Sequence, residues 1–176
     1  MAQRITRRGQ PATGPNQASD ATPDASAARA VEESRVVMGR IMQPADANSW
    51  GNVHGGVIMY LVDEAGGVAA MRHTRRPCVT VAMDSMVFKE PVYIGDLLTI
   101  QAHVTWVGRT SIEVEARVVA ENMLTGQARE AGTSHITYVA IDEDGRPTAA
   151  PPLLARTDEE RDAMRAAEER RARRHS

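Results

Sequence analysis

The sequence lacks several features that mark particular classes of protein. Its 176 residues include one cysteine, Cys78, so no disulfide can form within the chain. It contains no apolar run of the about 18 residues that a membrane-spanning helix needs, and no apolar segment typical of a signal peptide stands near the N-terminus. These absences predict a cytoplasmic protein with no membrane partner.

Excess charge of one sign is also missing. The 21 lysines and arginines nearly balance 23 aspartates and glutamates, which gives a formal net charge of −2. The sequence therefore has no overall basic field that would attract nucleic acid, and we expect no nucleic-acid partner. Lys89 is the only lysine, a bias that we attribute to genomic composition.

Common catalytic and metal-binding motifs are absent as well. The chain has no G-x-S-x-G elbow, P-loop or G-x-G-x-x-G fingerprint, which argues against serine hydrolases, NTPases and dinucleotide-dependent enzymes. None of the 5 histidines has a second histidine or a cysteine at ligand spacing. We therefore expect no metal site, and we interpret Cys78 as a buried, unreactive thiol.

Composition divides the chain into three parts. Residues 1–33 are rich in small and polar residues and lack apolar periodicity, which predicts a disordered tail. Residues 34–156 carry the periodic segments of one globular domain. Residues 157–176 begin with a capping box, Thr157 to Glu160, and predict a charged helix or tail whose arginines face solvent.

The central part predicts an α+β fold. Residues 55–73 are apolar on nearly every side, which is typical of a helix enclosed by other structure. Alternating, β-rich runs predict strands over residues 36–43, 78–88, 97–107, 110–120 and 129–141. Because the later connections are short, we expect a four-strand antiparallel meander after the helix, in a curved sheet that wraps it.

A polar, glycine-rich loop over residues 44–56 ends at the start of the predicted helix. The first amides of a helix have no intrahelical partner and lie at the positive end of its dipole. Gly55 and Gly56 would let a ligand oxygen approach those amides closely. The alternative is that both glycines only allow a tight entry into a crowded helix.

Asp63 and Glu64 are the only acids in the predicted helix. A carboxylate in apolar surroundings is unfavourable unless it is paired or used. Asp63 shares its helix face with Gly66 and Gly67, where missing side chains leave room for a ligand or another backbone, so we prefer Asp63 as the working acid. Glu64 is the alternative, and a structural ion pair, for example with Arg72, stays open for either.

Two further segments have alternative interpretations. His54 is the only histidine in the loop, where it is either a hydrogen-bonded anchor or part of a site. Gly108, Arg109, Thr110 and Ser111 lie at a predicted hairpin, where they form an ordinary turn or hold a phosphate through charge-assisted hydrogen bonds.

Five motifs together resemble the hotdog-fold acyl-CoA thioesterases, specifically the cytosolic acyl-CoA hydrolase group. They are RIMQPADAN at 40–48, GNVHGG at 51–56, VDEAGG at 62–67, TVAMDSMVF at 80–88 and VGRTS at 107–111. The resemblance implies a hotdog fold, in which a curved antiparallel sheet wraps one long helix. It also implies that the chain hydrolyses fatty acyl-CoA to a free acid and CoA.

The resemblance assigns roles to named residues. Asn52 matches the family's active-site asparagine, Asp63 its catalytic aspartate, either general base or nucleophile, and Gly56 the amide that polarises the thioester carbonyl. His54, Gly55 and the segment Gly108, Arg109, Thr110 and Ser111 would bind substrate, with Arg109 standing where relatives often carry lysine. CoA would enter as part of the substrate, and no cofactor is expected.

The resemblance further implies a homodimer or a trimer of dimers, in which Asn52 and Asp63 meet across the dimer interface. Two alternatives remain. A hotdog dehydratase would use His54 with Glu64 on a β-hydroxyacyl thioester, and a non-catalytic acyl-CoA sensor would keep only the pocket. The GNVHGG and VDEAGG motifs favour the hydrolase.

Overall fold

The computed structural model of the protein describes residues 27–174. The predicted disorder of residues 1–26 therefore lies outside the described residues. The α-helices are α1 (Gly55–Thr74) and α2 (Asp158–Arg174), and the strands are β1 (Arg29–Ala30), β2 (Val36–Ile41), β3 (Cys78–Phe88), β4 (Leu97–Val107), β5 (Ser111–Glu121), β6 (Ala128–Ala140) and β7 (Leu153–Leu154). Within residues 27–174 no helix is both long and apolar enough to cross a membrane.

Strands β2 to β6 form one antiparallel sheet in the order β2-β4-β5-β6-β3. The meander of β4, β5 and β6 is as predicted, but the expected pairing of β3 with β4 is wrong, because β3 pairs with β6 at the far edge. Residues 89–96 do not form a tight hairpin. Their backbone is bonded elsewhere instead: Lys89 donates to the Ala131 carbonyl, and the Val92 carbonyl accepts from Val53.

Helix α1 packs against the inner face of this sheet. Its buried apolar side chains meet the inward-facing residues of the strands in one continuous core; the helix contributes Ile58, Leu61, Val62, Ala65, Ala69 and Ala70. The opposite side of α1 is exposed in the single chain, with Met59, Tyr60 and Met71 facing outward. The expected enclosure of the helix is therefore incomplete within one chain.

Helix α2 covers part of the outer face of the sheet. The predicted capping box is present, since the Glu160 amide donates to Thr157 Oγ1 and the Thr157 amide donates to Glu160 Oε2. The expectation that its arginines face solvent is wrong for Arg170 and Arg174, because both form ion pairs with carboxylates of the sheet. Local composition shows that charges are present but not which distant partners they meet.

The predicted boundary of the N-terminal tail is also too late in the chain. Residues 29–33 are ordered: β1 pairs in parallel with β7, and Val31 is only 2% exposed. The Arg29 guanidinium donates to the carbonyl of His73 at the end of α1 (2.6 Å). These contacts reach residues far along the chain, so the composition of the segment alone did not indicate them.

Candidate active site

The loop before α1 is held by hydrogen bonds from side chains to its own backbone. Asp46 is buried, and its carboxylate accepts from the Arg40 guanidinium (2.8 Å) and from the backbone amide of Gln43 (2.8 Å). Asp46 anchors the first half of the loop, a role that the sequence analysis missed. The signal was an acid two positions after a proline, at the third residue of a short helical turn.

The second half of the loop folds around Asn48. The side-chain Oδ1 of Asn48 accepts from the backbone amides of Trp50 (2.8 Å) and Asn52 (3.2 Å). The backbone amide of Asn48 donates to the backbone carbonyl of Asn52 (2.7 Å). Asn52 is half-buried and also forms a backbone bridge with Tyr93. The structure therefore sets both asparagines in one compact turn just before the helix.

His54 caps the N-terminus of α1. Its Nδ1 accepts from the Gly56 amide (2.9 Å), which confirms the interpretation of this histidine as a hydrogen-bonded anchor. A Cβ on Gly56 would lie 3.1 Å from that nitrogen, and a Cβ on Gly55 would lie 3.2 Å from the Phe88 ring. Both glycines thus permit a tight helix entry, and the Gly56 amide is bonded to the imidazole in this state.

Asp63 lies two turns further along α1 and is half-buried, whereas Glu64 is exposed. The Thr80 hydroxyl on β3 donates to Asp63 Oδ1 (2.8 Å), and the Tyr138 hydroxyl on β6 lies 3.2 Å from the same oxygen. Arg72 does not take the position of an ion-pair partner, because its guanidinium donates to the Arg35 carbonyl. The acid that the sequence favours is therefore held by neutral hydroxyl groups.

Tyr138 is the residue of this cluster that the sequence analysis missed. Its side chain is 1% exposed, and its hydroxyl also reaches the Asp63 carbonyl oxygen (2.9 Å). Burial raises the pKa of Tyr138 well above its usual value, and the charge of Asp63 and the hydrogen bond to it raise this pKa further. The hydroxyl therefore keeps its proton and acts as a donor to Asp63.

The segment from Gly108 to Ser111 forms the predicted turn between β4 and β5. The Gly108 amide donates to the Ser111 carbonyl (2.8 Å), and the Arg109 carbonyl accepts from Ala150 (3.0 Å) while the Arg109 side chain is exposed. This turn lies beside α2, whose Arg171 stacks on Trp106 at 4.4 Å. Among residues 27–174, no hydrogen bond joins it to Asp63 or to the loop before α1.

The described part of the chain contains no group of three or more His, Cys, Asp and Glu side chains arranged to hold a metal ion. What the arrangement at α1 offers is a carboxylate fixed by two hydroxyls and, before it, the amides at a helix N-terminus. Such a combination can activate water or attack a carbonyl, and it can hydrogen-bond an oxygen that gains negative charge.

Comparison with known proteins gives consistent matches. The family profile described as the thioesterase superfamily matches residues 51–127. An uncharacterized acyl-CoA thioester hydrolase of Bacillus subtilis, YkhA, is 38% identical over 153 residues, which cover 84% of this chain and 89% of that protein. The cytosolic acyl coenzyme A thioester hydrolase of Rattus norvegicus is 32% identical over 123 residues, 69% of this chain and 32% of the rat protein.

Solved structures agree. An apo-hexameric acyl-CoA thioesterase superposes with a TM-score of 0.82 at 36% identity and covers 85% of this chain and 96% of its own. An acyl-CoA hydrolase of Staphylococcus aureus, solved with butyryl coenzyme A and coenzyme A, gives a TM-score of 0.78 at 30% identity, over 84% of this chain and 90% of its own. The predicted hotdog fold, a long helix wrapped by an antiparallel sheet, is confirmed.

Proposed function

Because this chain belongs to the thioesterase superfamily and, within it, to the acyl-CoA thioester hydrolases, we propose that it hydrolyses acyl-CoA to a carboxylic acid and CoA. Water adds to the thioester carbonyl, the carbon–sulfur bond breaks, and the sulfur leaves as the CoA thiol. The observation that carries the proposal is Asp63 in the middle of α1, held by the hydroxyls of Thr80 and Tyr138.

Asp63 is the reacting carboxylate in this proposal. Both hydroxyls lie within hydrogen-bonding distance of Oδ1, so we assign Oδ2 to the reaction. As a general base, Oδ2 takes a proton from the attacking water; as a nucleophile, it forms an anhydride with the acyl group that water then opens. Either role requires the ionised carboxylate. Glu64 is exposed and is not assigned a role.

The developing oxyanion needs hydrogen-bond donors, and the Gly56 amide is the first candidate. That amide donates to His54 Nδ1 (2.9 Å) in this structure, so a substrate oxygen must share it or displace the imidazole. His54 is exposed, and its side chain can therefore turn away without rearranging the core. We assign His54 and Gly55 to substrate binding, together with Gly108, Arg109, Thr110 and Ser111 for the CoA nucleotide.

Asn52 and Asn48 compete for the role of the second oxyanion donor. Alanine variants of the Staphylococcus aureus hydrolase were made at an asparagine 15 positions before an aspartate and at a threonine 17 positions after it. In this chain Thr80 follows Asp63 by 17 positions, and the residue 15 positions before Asp63 is Asn48. Asn48 Oδ1 accepts within the loop, which leaves the side-chain N–H groups of Asn48 as donors.

A matched pair of variants separates the two asparagines. Asn48→Asp and Asn52→Asp each keep the shape and an acceptor oxygen but remove the N–H donors and add a charge. The variant at the true oxyanion donor is expected to lower kcat by about 100-fold or more, and the other variant by much less. Circular dichroism of both variants checks that the loop and helix are intact. If both variants keep the kcat of the parent, neither asparagine is the oxyanion donor.

The test of the activity itself is release of free thiol from acyl-CoA substrates of graded chain length. Asp63→Asn deletes the basic oxygen at nearly constant volume and is expected to lower kcat by about 100-fold or more, whereas Glu64→Gln stays within a few-fold of the parent. If Glu64→Gln loses most of its kcat and Asp63→Asn keeps it, the reacting carboxylate is Glu64 rather than Asp63. Loss of water from a β-hydroxyacyl thioester without thiol release would favour the dehydratase, and binding without turnover the sensor.

We also propose that the chain forms dimers that complete the site. Strand β3 is an edge strand with exposed Val81, Val87 and Phe88, and α1 exposes Met59 and Tyr60. A second copy that covers these surfaces would complete the enclosure of α1. The neighbours that are described as hexameric support an oligomer of this chain. A cytoplasmic location stays a prediction, in line with the relatives named cytosolic.

Complementation tests whether the site is shared between subunits. Chains with Asn52→Ala and chains with Asp63→Ala are co-expressed and pair at random, provided that each variant is inactive when expressed alone. About half of the dimers are then mixed, and each mixed dimer holds one intact site, so about a quarter of parental activity returns. The same experiment with Asn48→Ala covers the competing asparagine. If mixed dimers are confirmed by mass and no activity returns, both residues act within one chain.

A further inference from the structure

Gly66 occupies a buried position in the interior of α1, three residues after Asp63. A glycine in a helix interior destabilises the helix by about 1 kcal/mol relative to alanine, so its presence there calls for a physical reason. A Cβ on Gly66 would lie 2.4 Å from the Tyr138 hydroxyl oxygen and 3.1 Å from the Tyr138 Cζ. The tyrosine hydroxyl therefore occupies the space that a side chain at this position would need.

The neighbouring glycine does not share this constraint. A Cβ on Gly67 would meet only the Cε1 atom of Tyr138, at an ordinary contact distance of 3.8 Å. The two glycines of the VDEAGG motif thus differ, and only the first is required for the approach of Tyr138. This difference supplies a matched control within one helical turn.

The approach of Tyr138 has a direct consequence for Asp63. Through the gap at Gly66, the hydroxyl reaches the Asp63 carbonyl (2.9 Å) and the Asp63 carboxylate oxygen Oδ1 (3.2 Å). The ring is fully buried between α1 and the sheet, so it cannot easily withdraw. Thr80 is the residue directly opposite Tyr138 in the β3–β6 ladder, and it donates to the same carboxylate oxygen (2.8 Å).

We propose that Tyr138 is a positioning residue for the hydrolysis, and that its hydroxyl, admitted by the missing side chain at Gly66, orients the Asp63 carboxylate so that Oδ2 faces the reacting thioester. The inference rests on the proposed role of Asp63. Because burial raises the pKa of Tyr138, its hydroxyl keeps the proton and donates to the Asp63 carboxylate. Tyr138 itself does not need to touch the substrate.

The first test is Tyr138→Phe, which removes one oxygen and keeps the ring. The loss of one hydrogen bond is expected to lower kcat for acyl-CoA about tenfold and to leave KM nearly unchanged. The acid limb of the pH dependence of kcat is expected to move to higher pH, because the ionised carboxylate loses a donor. A purely structural tyrosine would lower the melting temperature without moving that limb.

Gly66→Ala tests the same contact from the other side. A Cβ at position 66 cannot coexist with the hydroxyl oxygen at 2.4 Å, so α1 and the Tyr138 side chain must move apart and the contact with Asp63 is weakened. The variant is therefore expected to show the same fall in kcat and the same shift of the acid limb. Gly67→Ala is the matched control and is expected to keep the parental pH dependence. In the double variant Gly66→Ala with Tyr138→Phe, the two effects on kcat should be much less than additive, because both remove one interaction.

Two outcomes would overturn the inference. One is a folded Tyr138→Phe with parental kcat and an unmoved acid limb. If Tyr138→Phe does not fold, the other is a folded Gly66→Ala whose pH dependence matches that of Gly67→Ala. Failure of the proposed function looks different: Asp63→Asn then retains full activity, or no acyl-CoA releases thiol. An inactive Asp63→Asn beside an unaffected Tyr138→Phe rejects only the positioning role.

Discussion

The two faces of the sheet each hold a carboxylate, and their partners differ. Asp63, against the inner face, accepts from the hydroxyls of Thr80 and Tyr138. Glu113, on the outer face, accepts from the hydroxyl of Thr105 (3.0 Å) and is also paired with the guanidinium of Arg170 (2.6 Å). The carboxylate of Glu113 therefore lies beside a cation, whereas the hydrogen-bond partners of the Asp63 carboxylate in the described part of the chain are neutral hydroxyls, which agrees with the role that we propose for each.

The polar contacts of α2 on the outer face and the hydroxyls that hold Asp63 on the inner face belong to the same two strands, β3 and β6. Arg174 of α2 lies 2.7 Å from Asp84 on β3 and donates to the Thr137 hydroxyl on β6 (2.9 Å). Burial raises the pKa of Asp84, while the charge of Arg174 opposes this shift. Thr137 immediately precedes Tyr138, which points to the opposite face. Helix α2 thus joins from outside the two strands that hold Asp63 from inside.

The largest expected effect comes from breaking the outer pair. Glu113 is 2% exposed, so Glu113→Ala leaves Arg170 without its partner and is expected to lower the free energy of unfolding by about 3 kcal/mol. Denaturant unfolding measures the loss, and turnover per folded molecule should stay near that of the parent. Asp63→Ala is the opposite control, because it is expected to lose turnover and to change the free energy of unfolding less than Glu113→Ala does. A Glu113→Ala variant with normal stability but no turnover would contradict the division between the faces.

A smaller effect is expected from the arginines of α2 taken singly. Arg170→Met and Arg174→Met keep most of the apolar stem and remove the charge. Arg170 lies closer to Glu113 than Arg174 does, 2.6 Å against 3.8 Å. We therefore expect the free energy of unfolding to fall by about 2 kcal/mol in Arg170→Met and by about 1 kcal/mol in Arg174→Met. Arg165→Met is the control, because Arg165 forms an exposed ion pair with Asp162. This variant should change the free energy of unfolding by less than about 0.5 kcal/mol. Equal losses at all three positions would mean that the helix acts without a specific pair.

The sequence predicted the features that depend on local pattern. Apolar periodicity placed α1 and the strands of the sheet within a few residues. The glycines near Asp63 favoured the acid that is half-buried and hydrogen-bonded in the fold, and its catalytic role stays a proposal. The features it missed depend on contacts between distant positions: Tyr138 is 75 positions from Asp63, and Arg170 is 57 from Glu113. Local sequence shows that Gly66 lacks a side chain, but only the folded chain shows which atom fills the space.

The smallest expected effect concerns another carboxylate on the outer face, Glu115. It pairs across the β5–β6 ladder with His135, whose Nε2 lies 3.2 Å from Glu115 Oε2. The hydrogen bond from His135 lowers the pKa of Glu115 from its usual 4.5, and burial works in the opposite direction. A carboxylate whose pKa is lower in the folded state contributes stability above pH 4.5, and this contribution is lost as the pH falls through the folded value.

His135→Gln removes the imidazole from this pair. Glu115 has 36% of its side chain exposed, and solvent screening therefore reduces the expected stability difference between parent and variant at neutral pH to about 0.3 kcal/mol. The difference should shrink as the pH falls below 4.5, whereas turnover at neutral pH should be unchanged. Burial lowers the pKa of His73, so both proteins lose stability below pH 6.5, and only the difference between their unfolding curves is informative. A difference that stays constant on acidification would show that His135 stabilises the outer face by packing rather than through the charge of Glu115.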